Sequence, residues 1–421
     1  MKKILTKAII FFLLSYSYAE AQYLTLNECY DLAKTNYPLI QQKELISQSK
    51  EFTIANAHSG YLPQVAIYGQ ATYQSAVTSI PIELPNLKIT PLSKDQYRIY
   101  GELTQSLFDG GSVRRASNLE DLNARVEIQK VEVELYKIKD RINQLFFGIL
   151  LLDEQIKQTE LLRNDLLSSL KTVNANISNG TALPMSAQIL EVELLNIKQR
   201  QTESALLRDT YLDMLGLFLH KELNPKETTL VEPQIELQTD YSFHRQELQL
   251  FDFQKQRVAK QFELSNSKYA PRLNLFIQGG FGRPALNLLK NDFSPYFIGG
   301  IRLYWNISNF YNKNRDFQLK ELNSKIIDTQ QSLFTFNQNL LLKQQRKEVE
   351  KLQAFFDMDV EMLNLRTKIS ETAKVQLENG VISVNDYVVI VNAQDKARQS
   401  LALHKIQLKM AQANIYTTLG N

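Results

Sequence analysis

Four histidines, one cysteine and one glycine cluster are the residues that could bear chemistry, and their spacing supports none. His58, His220, His244 and His404 are scattered without metal-ligand spacing. Gly279-Gly280-Phe281-Gly282 contains a Gly-x-Gly, but Pro284 follows and no helix start does. A phosphate loop needs a helix N-terminus at that point, so these glycines read as small residues at a strand end or bulge. No Gly-x-Ser-x-Gly elbow occurs. The carboxylates lie on helical faces, where solvated partners three or four residues away are their ordinary company. Cys29 is the only cysteine and cannot close an intrachain disulfide; it falls inside a helical pattern as a small buried residue. The expectation is a chain that is not an enzyme and holds no cofactor or metal.

The elements that frame these residues are duplicated. Residues 115–200 recur, without a gap, as residues 315–400. Arg115, Leu119, Leu122, Asn123, Leu152, Asn179 and Gly180 return as Arg315, Leu319, Leu322, Asn323, Leu352, Asn379 and Gly380. The period is far above that of stacked solenoid repeats, so the unit is a half-molecule.

The N-terminus has the form of a secretory signal. Lys2, Lys3 and Lys7 precede the apolar run from Ile9 to Leu14, and Ala19-Glu20-Ala21 supplies a small-x-small cleavage site. Residues 1–21 are therefore assigned to a signal peptide. No later apolar stretch nears the roughly 20 residues of a spanning helix. Without Lys2, Lys3, Lys7 and Glu20, the 48 basic and 45 acidic residues reduce to a net charge of +1, which points away from nucleic acid.

Each half reads as helix, β-hairpin, very long helix, turn and return helix. The first repeat covers 22–216, a connecting segment 217–240, and the second repeat 241–421. An amphipathic helix is expected from Leu24 to Gly60, interrupted at Pro38 by a kink or a restart. Period-two alternation then predicts hairpins over 64–107 and 272–307. Val65, Ile67, Ile99, Leu103, Leu273, Leu275, Ile277, Ile301, Leu303 and Trp305 fall on apolar faces, whereas Arg98, Glu102, Arg272 and Arg302 fall on the opposite ones. One lipid face and one wet face is the pattern of a transmembrane barrel. Four strands are too few to close one, so if they enter lipid copies must combine, three giving twelve strands and two giving eight; the alternative is a soluble β-subdomain packed against the helices.

Residues 112–178 and 312–378 contain no proline, and about 64 residues of helix would reach roughly 96 Å. Leu319, Leu322, Ile326, Thr329, Leu333, Phe336 and Leu340 step by three and four, a coiled-coil stripe, matched by Leu119, Leu122, Val126, Gln129, Val133 and Tyr136. Asn179-Gly180 and Asn379-Gly380 end these helices and reverse the chain. Return helices follow over 184–216 and 384–420, the first opened by Pro184.

With these elements in order, the chain resembles the TolC family of outer-membrane efflux channels over essentially its whole mature length. The resemblance rests on Leu24-Thr25-Leu26-Asn27-Glu28, Ala33, Asn36-Tyr37-Pro38, Tyr61-Leu62-Pro63-Gln64, Leu107-Phe108-Asp109-Gly110-Gly111, and Asn379-Gly380 with Asp386. It implies a mainly α fold with β-hairpins: a homotrimer with a twelve-stranded barrel in outer-membrane lipid and a twelve-helix tunnel in the periplasm. It also implies tips, at Asn179, Gly180, Asn379 and Gly380, that contact a periplasmic adaptor and through it an inner-membrane transporter of RND, ABC or MFS type. Six residues past the tip glycine the family places a gate carboxylate, here Asp386. Positions where the family can add charge are Val389, Ile382 and Ser186, so the gate is simpler here. The plainer role for Asp386 is as an acidic residue at a helix N-terminus. A coiled-coil scaffold without a pore is the alternative to the conduit.

Overall fold

The structure, a computed structural model of the single chain, describes residues 22–78, 91–235 and 241–420. The signal-peptide assignment and most of the first hairpin loop lie outside these residues. In chain order the elements are β1 (Gln22–Leu24), α1 (Leu26–Asn36), α2 (Gln41–His58), β2 (Gln64–Tyr73), β3 (Asp95–Phe108), α3 (Ser112–Tyr136) and α4 (Ile138–Ser178). There follow α5 (Pro184–Leu219), β4 (Thr228–Leu230), α6 (Gln246–Asn266), β5 (Arg272–Arg283), β6 (Ser294–Tyr304), α7 (Lys313–Glu378) and α8 (Val384–Leu419). Among the described residues no helix is long and apolar enough to cross a membrane.

Two compact units divide the chain, and each draws on both sequence repeats. One unit holds the described parts of residues 1–41, 131–247 and 333–421. Within it α4 packs against α5 and α8. Its distal core joins Leu162, Leu166, Leu190, Ile197, Leu377 and Tyr387. A second cluster along α7 and α8 centres on Leu352 and Ile415. Thr25 caps α1 through a box with Glu28, whose carboxyl is held below the usual glutamate range by the Thr25 N–H and hydroxyl. Cys29 is fully buried there, and burial pushes its thiol up to about 12, far from a reactive thiolate.

Three expectations need correction. Leu24 is not helical: with Gln22 and Tyr23 it forms β1, which pairs in parallel with β4, because Thr25 is the N-cap and fixes the helix start after it. Pro38 restarts the chain as expected, but through a short 3-10 turn, Pro38–Ile40, since its missing N–H and fixed φ suit a first turn and not a helix interior. The first long helix is divided at Lys137, where the N–H···O bond to Val133 stretches to 3.3 Å, while α7 runs unbroken for 66 residues.

The other unit, residues 42–130 and 248–332, contains the sheet. Its strand order is β2-β3-β5-β6, antiparallel throughout. The two hairpins, far apart in sequence, thus join along β3 and β5. The outer edges of β2 and β6 carry no strand partner among the described residues.

Candidate functional site: the two faces of the sheet and the helical tips

The side-chain alternation sorts the sheet into two chemically distinct faces. Val65 stands opposite Leu103, and Leu103 opposite Ile277, so one rung of the ladder is apolar across three strands. Leu273 pairs with Leu303 and Leu275 with Ile301 on the same face. Ile67 and Ile99 complete it, and the residues at its edges face outward: Phe297 is 78% exposed. Nine of the ten strand residues expected on the apolar face are there. Trp305 lies one residue past the strand, since β6 ends at Tyr304, and its indole N–H donates to the Tyr269 carbonyl at 3.0 Å.

The opposite face is polar. Glu102 accepts from the Gln278 amide and the Thr104 hydroxyl and pairs with Arg302 at 3.3 Å across the intervening strand. Arg302 also lies over the Phe276 ring. Tyr68, Tyr100 and Tyr296 share this face. At one end of the apolar face, by contrast, Arg283 pairs with Asp95 and covers Tyr97, which stacks on Phe293.

Below the strands, two carboxylates fix the exits into the long helices. Asp109 accepts from the N–H groups of Gly111 and Val113 and the Ser112 hydroxyl. Burial works to raise its carboxyl, but these donors outweigh it and hold the group below the usual aspartate range. Gly110 and Gly111 adopt φ of +69° and +78° there, and a Cβ on Gly110 would lie 2.7 Å from that of Ala270. In the second repeat the carboxylate is a different one, Asp316 in the first turn of α7, which accepts from Lys268 and the Tyr269 hydroxyl. Lys268, then Tyr269, depress the Asp316 carboxyl, and Asp316 in turn raises the Lys268 ammonium.

The signs set the pH window of this contact. A depressed carboxyl stabilises above its unfolded value and loses that stabilisation as pH falls through its folded value; a raised ammonium loses its contribution only as pH rises through its folded value. The contact is therefore complete at neutral pH and is lost as pH falls through the depressed Asp316 value, below the usual aspartate range. Asp316→Asn should lower the melting temperature at pH 7, with the gap to the parent chain closing towards pH 3. A gap that stays constant over that range would remove Asp316 from the acid limb.

The two tip turns lie side by side. Gly180 and Gly380 take φ of +73° and +69°, and both turns line one groove of about 350 Å³ with Val173, Leu183, Leu377 and Ile382. Asn379 anchors its own turn by donating to the Val375 carbonyl. Asp386 lies exposed in the first turn of α8: its N–H donates to the Ser383 hydroxyl at 3.1 Å, and that hydroxyl donates to its carboxylate at 2.6 Å. Beside it Tyr387 is buried and accepts from Ser169 of α4.

The matching helical stripes differ in their surroundings. Leu122, Val126, Gln129 and Val133 are buried. Their counterparts Leu322, Ile326, Thr329 and Leu333 are exposed, Ile326 at 55% and Leu333 at 59%. The same pattern is covered in one repeat and open in the other.

No protein-family model matches the sequence, and no curated protein matches it either. Solved structures do match in fold. The outer membrane protein VceC from Vibrio cholerae is 13% identical with a TM-score of 0.65, covering 94% of this chain and 96% of that one. The Campylobacter jejuni CmeC outer membrane channel is 14% identical at a TM-score of 0.63, covering 94% and 85%. The open state of the Neisseria gonorrhoeae MtrE outer membrane channel is 13% identical at 0.60, covering 97% and 93%. The chain has the fold of these outer-membrane channels over nearly its full length. The resemblance to TolC-type channels drawn from the sequence therefore holds for the fold.

Proposed function

We propose that this chain is one of three copies forming an outer-membrane conduit for efflux or type I secretion, with the sheet in the lipid and the long helices in the periplasm. The observation that carries the reading is the sheet: an exposed apolar face, a polar opposite face and two edges without a strand partner among the described residues. Such a sheet is an aggregation hazard in water. It is also unsatisfied in lipid until both edges pair. Strands β2 and β6 run in opposite senses, so β6 of one copy beside β2 of the next continues the antiparallel alternation. Three copies give twelve strands, and the open stripe on α7 supplies a helical surface for the neighbouring copy.

The tip groove is the surface for a periplasmic adaptor, which connects to an inner-membrane transporter. Asp386, exposed and poised by Ser383, contributes one carboxylate of a ring about the channel axis. Energy comes from the partners, and the chain itself performs no chemistry. The test is conductance in planar bilayers. The trimer should carry current that divalent cations block, and Asp386→Asn should relieve the block severalfold without loss of assembly. Unchanged block would take Asp386 out of the constriction, and absence of any conductance would sink the conduit.

A further inference from the structure

One rung of the sheet joins residues from all four strands on the polar face: Tyr68 pairs with Tyr100, Tyr100 with Gly280, and Gly280 with Tyr296. The Tyr68 and Tyr100 rings stack with centroids 5.2 Å apart. Tyr100 and Tyr296 are two strand spacings apart, about 9.5 Å, yet their rings close to 6.5 Å. They converge over Gly280, where a Cβ would press closest on the Ile99 carbonyl oxygen and fall 2.5 Å from the Tyr100 Cβ. The glycine on β5 thus makes room for a continuous patch of three phenols. The patch is not a closed core: Tyr68 is 46% exposed, and Tyr100 and Tyr296 are half-buried.

Positive charge borders the patch. Two residues along β3 from Tyr100, Arg98 pairs with Gly282, and its Cγ lies 3.3 Å from where a Cβ on that glycine would be. Arg98 therefore leans over a second glycine of β5, beside the phenols. It is exposed and has no carboxylate partner among the described residues. The neighbouring rung on the other side holds Glu102, but Gln278, Thr104 and Arg302 already engage that carboxylate. Across the four strands this face carries Arg98, Arg272 and Arg302 against the single Glu102.

We propose that Tyr68, Tyr100, Tyr296 and Arg98 form a lumenal binding belt for planar aromatic anions, ring-stacked on the phenols with a carboxylate or sulfonate at the guanidinium. The inference rests on the conduit reading, which turns this face inward and brings the belts of the copies onto one level. Stacking alone takes any flat ring. The Arg98 guanidinium, without a carboxylate partner among the described residues, and the excess of arginine favour an anionic ring and disfavour a cationic one.

The test is calorimetric titration of the full-length protein in detergent with 2-naphthalenesulfonate and with 2-naphthylmethylammonium as the matched cation. The sulfonate is expected to bind about tenfold more tightly than the cation, and Arg98→Gln to remove most of that preference. Tyr100→Leu and Tyr296→Leu should each weaken both probes about three- to tenfold. Equal binding of the two probes would overturn the belt. So would binding insensitive to Arg98→Gln, which is also what partition into the micelle would give. The mass of the same preparation separates the failures: a trimer without Arg98-dependent binding overturns the belt alone, and a monomer overturns belt and conduit together.

Discussion

Aspartates at Ile326 and Leu333 together are expected to abolish the trimer while the single chain keeps its helices. Both side chains lie on the open stripe of α7, more than half exposed in the single chain. Each apolar side chain of the stripe gains about 1.5–3 kcal/mol when a neighbour covers it. A carboxylate there loses that gain and adds the cost of burying an unpaired charge. Because the sites are exposed in the protomer, the change costs the isolated fold little. The matched change at Val126, fully buried in the corresponding stripe, should instead destabilise the protomer itself. Circular dichroism with light scattering separates the two outcomes. An intact trimer carrying both aspartates would mean that this stripe is not the subunit interface.

The second large effect concerns the sheet. Ile277→Arg places a guanidinium near the middle of β5 on the apolar face, where a barrel in lipid pays about 2–4 kcal/mol for each such charge. In a trimer the cost recurs in every copy, so the variant should vanish from the outer-membrane fraction. Gln278→Arg, one residue away on the polar face, should remain there. Membrane fractionation reads both. Equal tolerance of the two substitutions would mean that the apolar face does not meet lipid.

Much of this architecture was legible because it is written in periodicity. The 200-residue offset, the period-two runs and the proline-free helices are local patterns, and each yields its element nearly where the structure has it. What one sequence does not carry is pairing between distant segments. Nothing local announces that β3 meets β5, and hence that Tyr68, Tyr100 and Tyr296 share a rung; the three tyrosines fall on the polar sides of their strands, but register decides that they meet.

The limits of local reading also appear at Trp305 and Leu24. The alternation continues through Trp305, yet β6 ends at Tyr304 and the indole donates to the Tyr269 carbonyl. Leu24 fits a helical pattern, yet Thr25 caps the helix after it, and Leu230 of the distant β4 pairs with it. The tertiary partners lie outside local pattern in both cases. The matched stripes on α3 and α7 teach the converse: identical periodicity does not say whether the cover comes from the same chain or from another copy.

The central claim is that copies of this sheet close into one barrel, and the mass of the detergent-extracted protein, measured by light scattering with the detergent subtracted, tests it most directly. A trimer extracted from the outer membrane is the predicted result. A monomer that stays soluble without detergent would contradict the account.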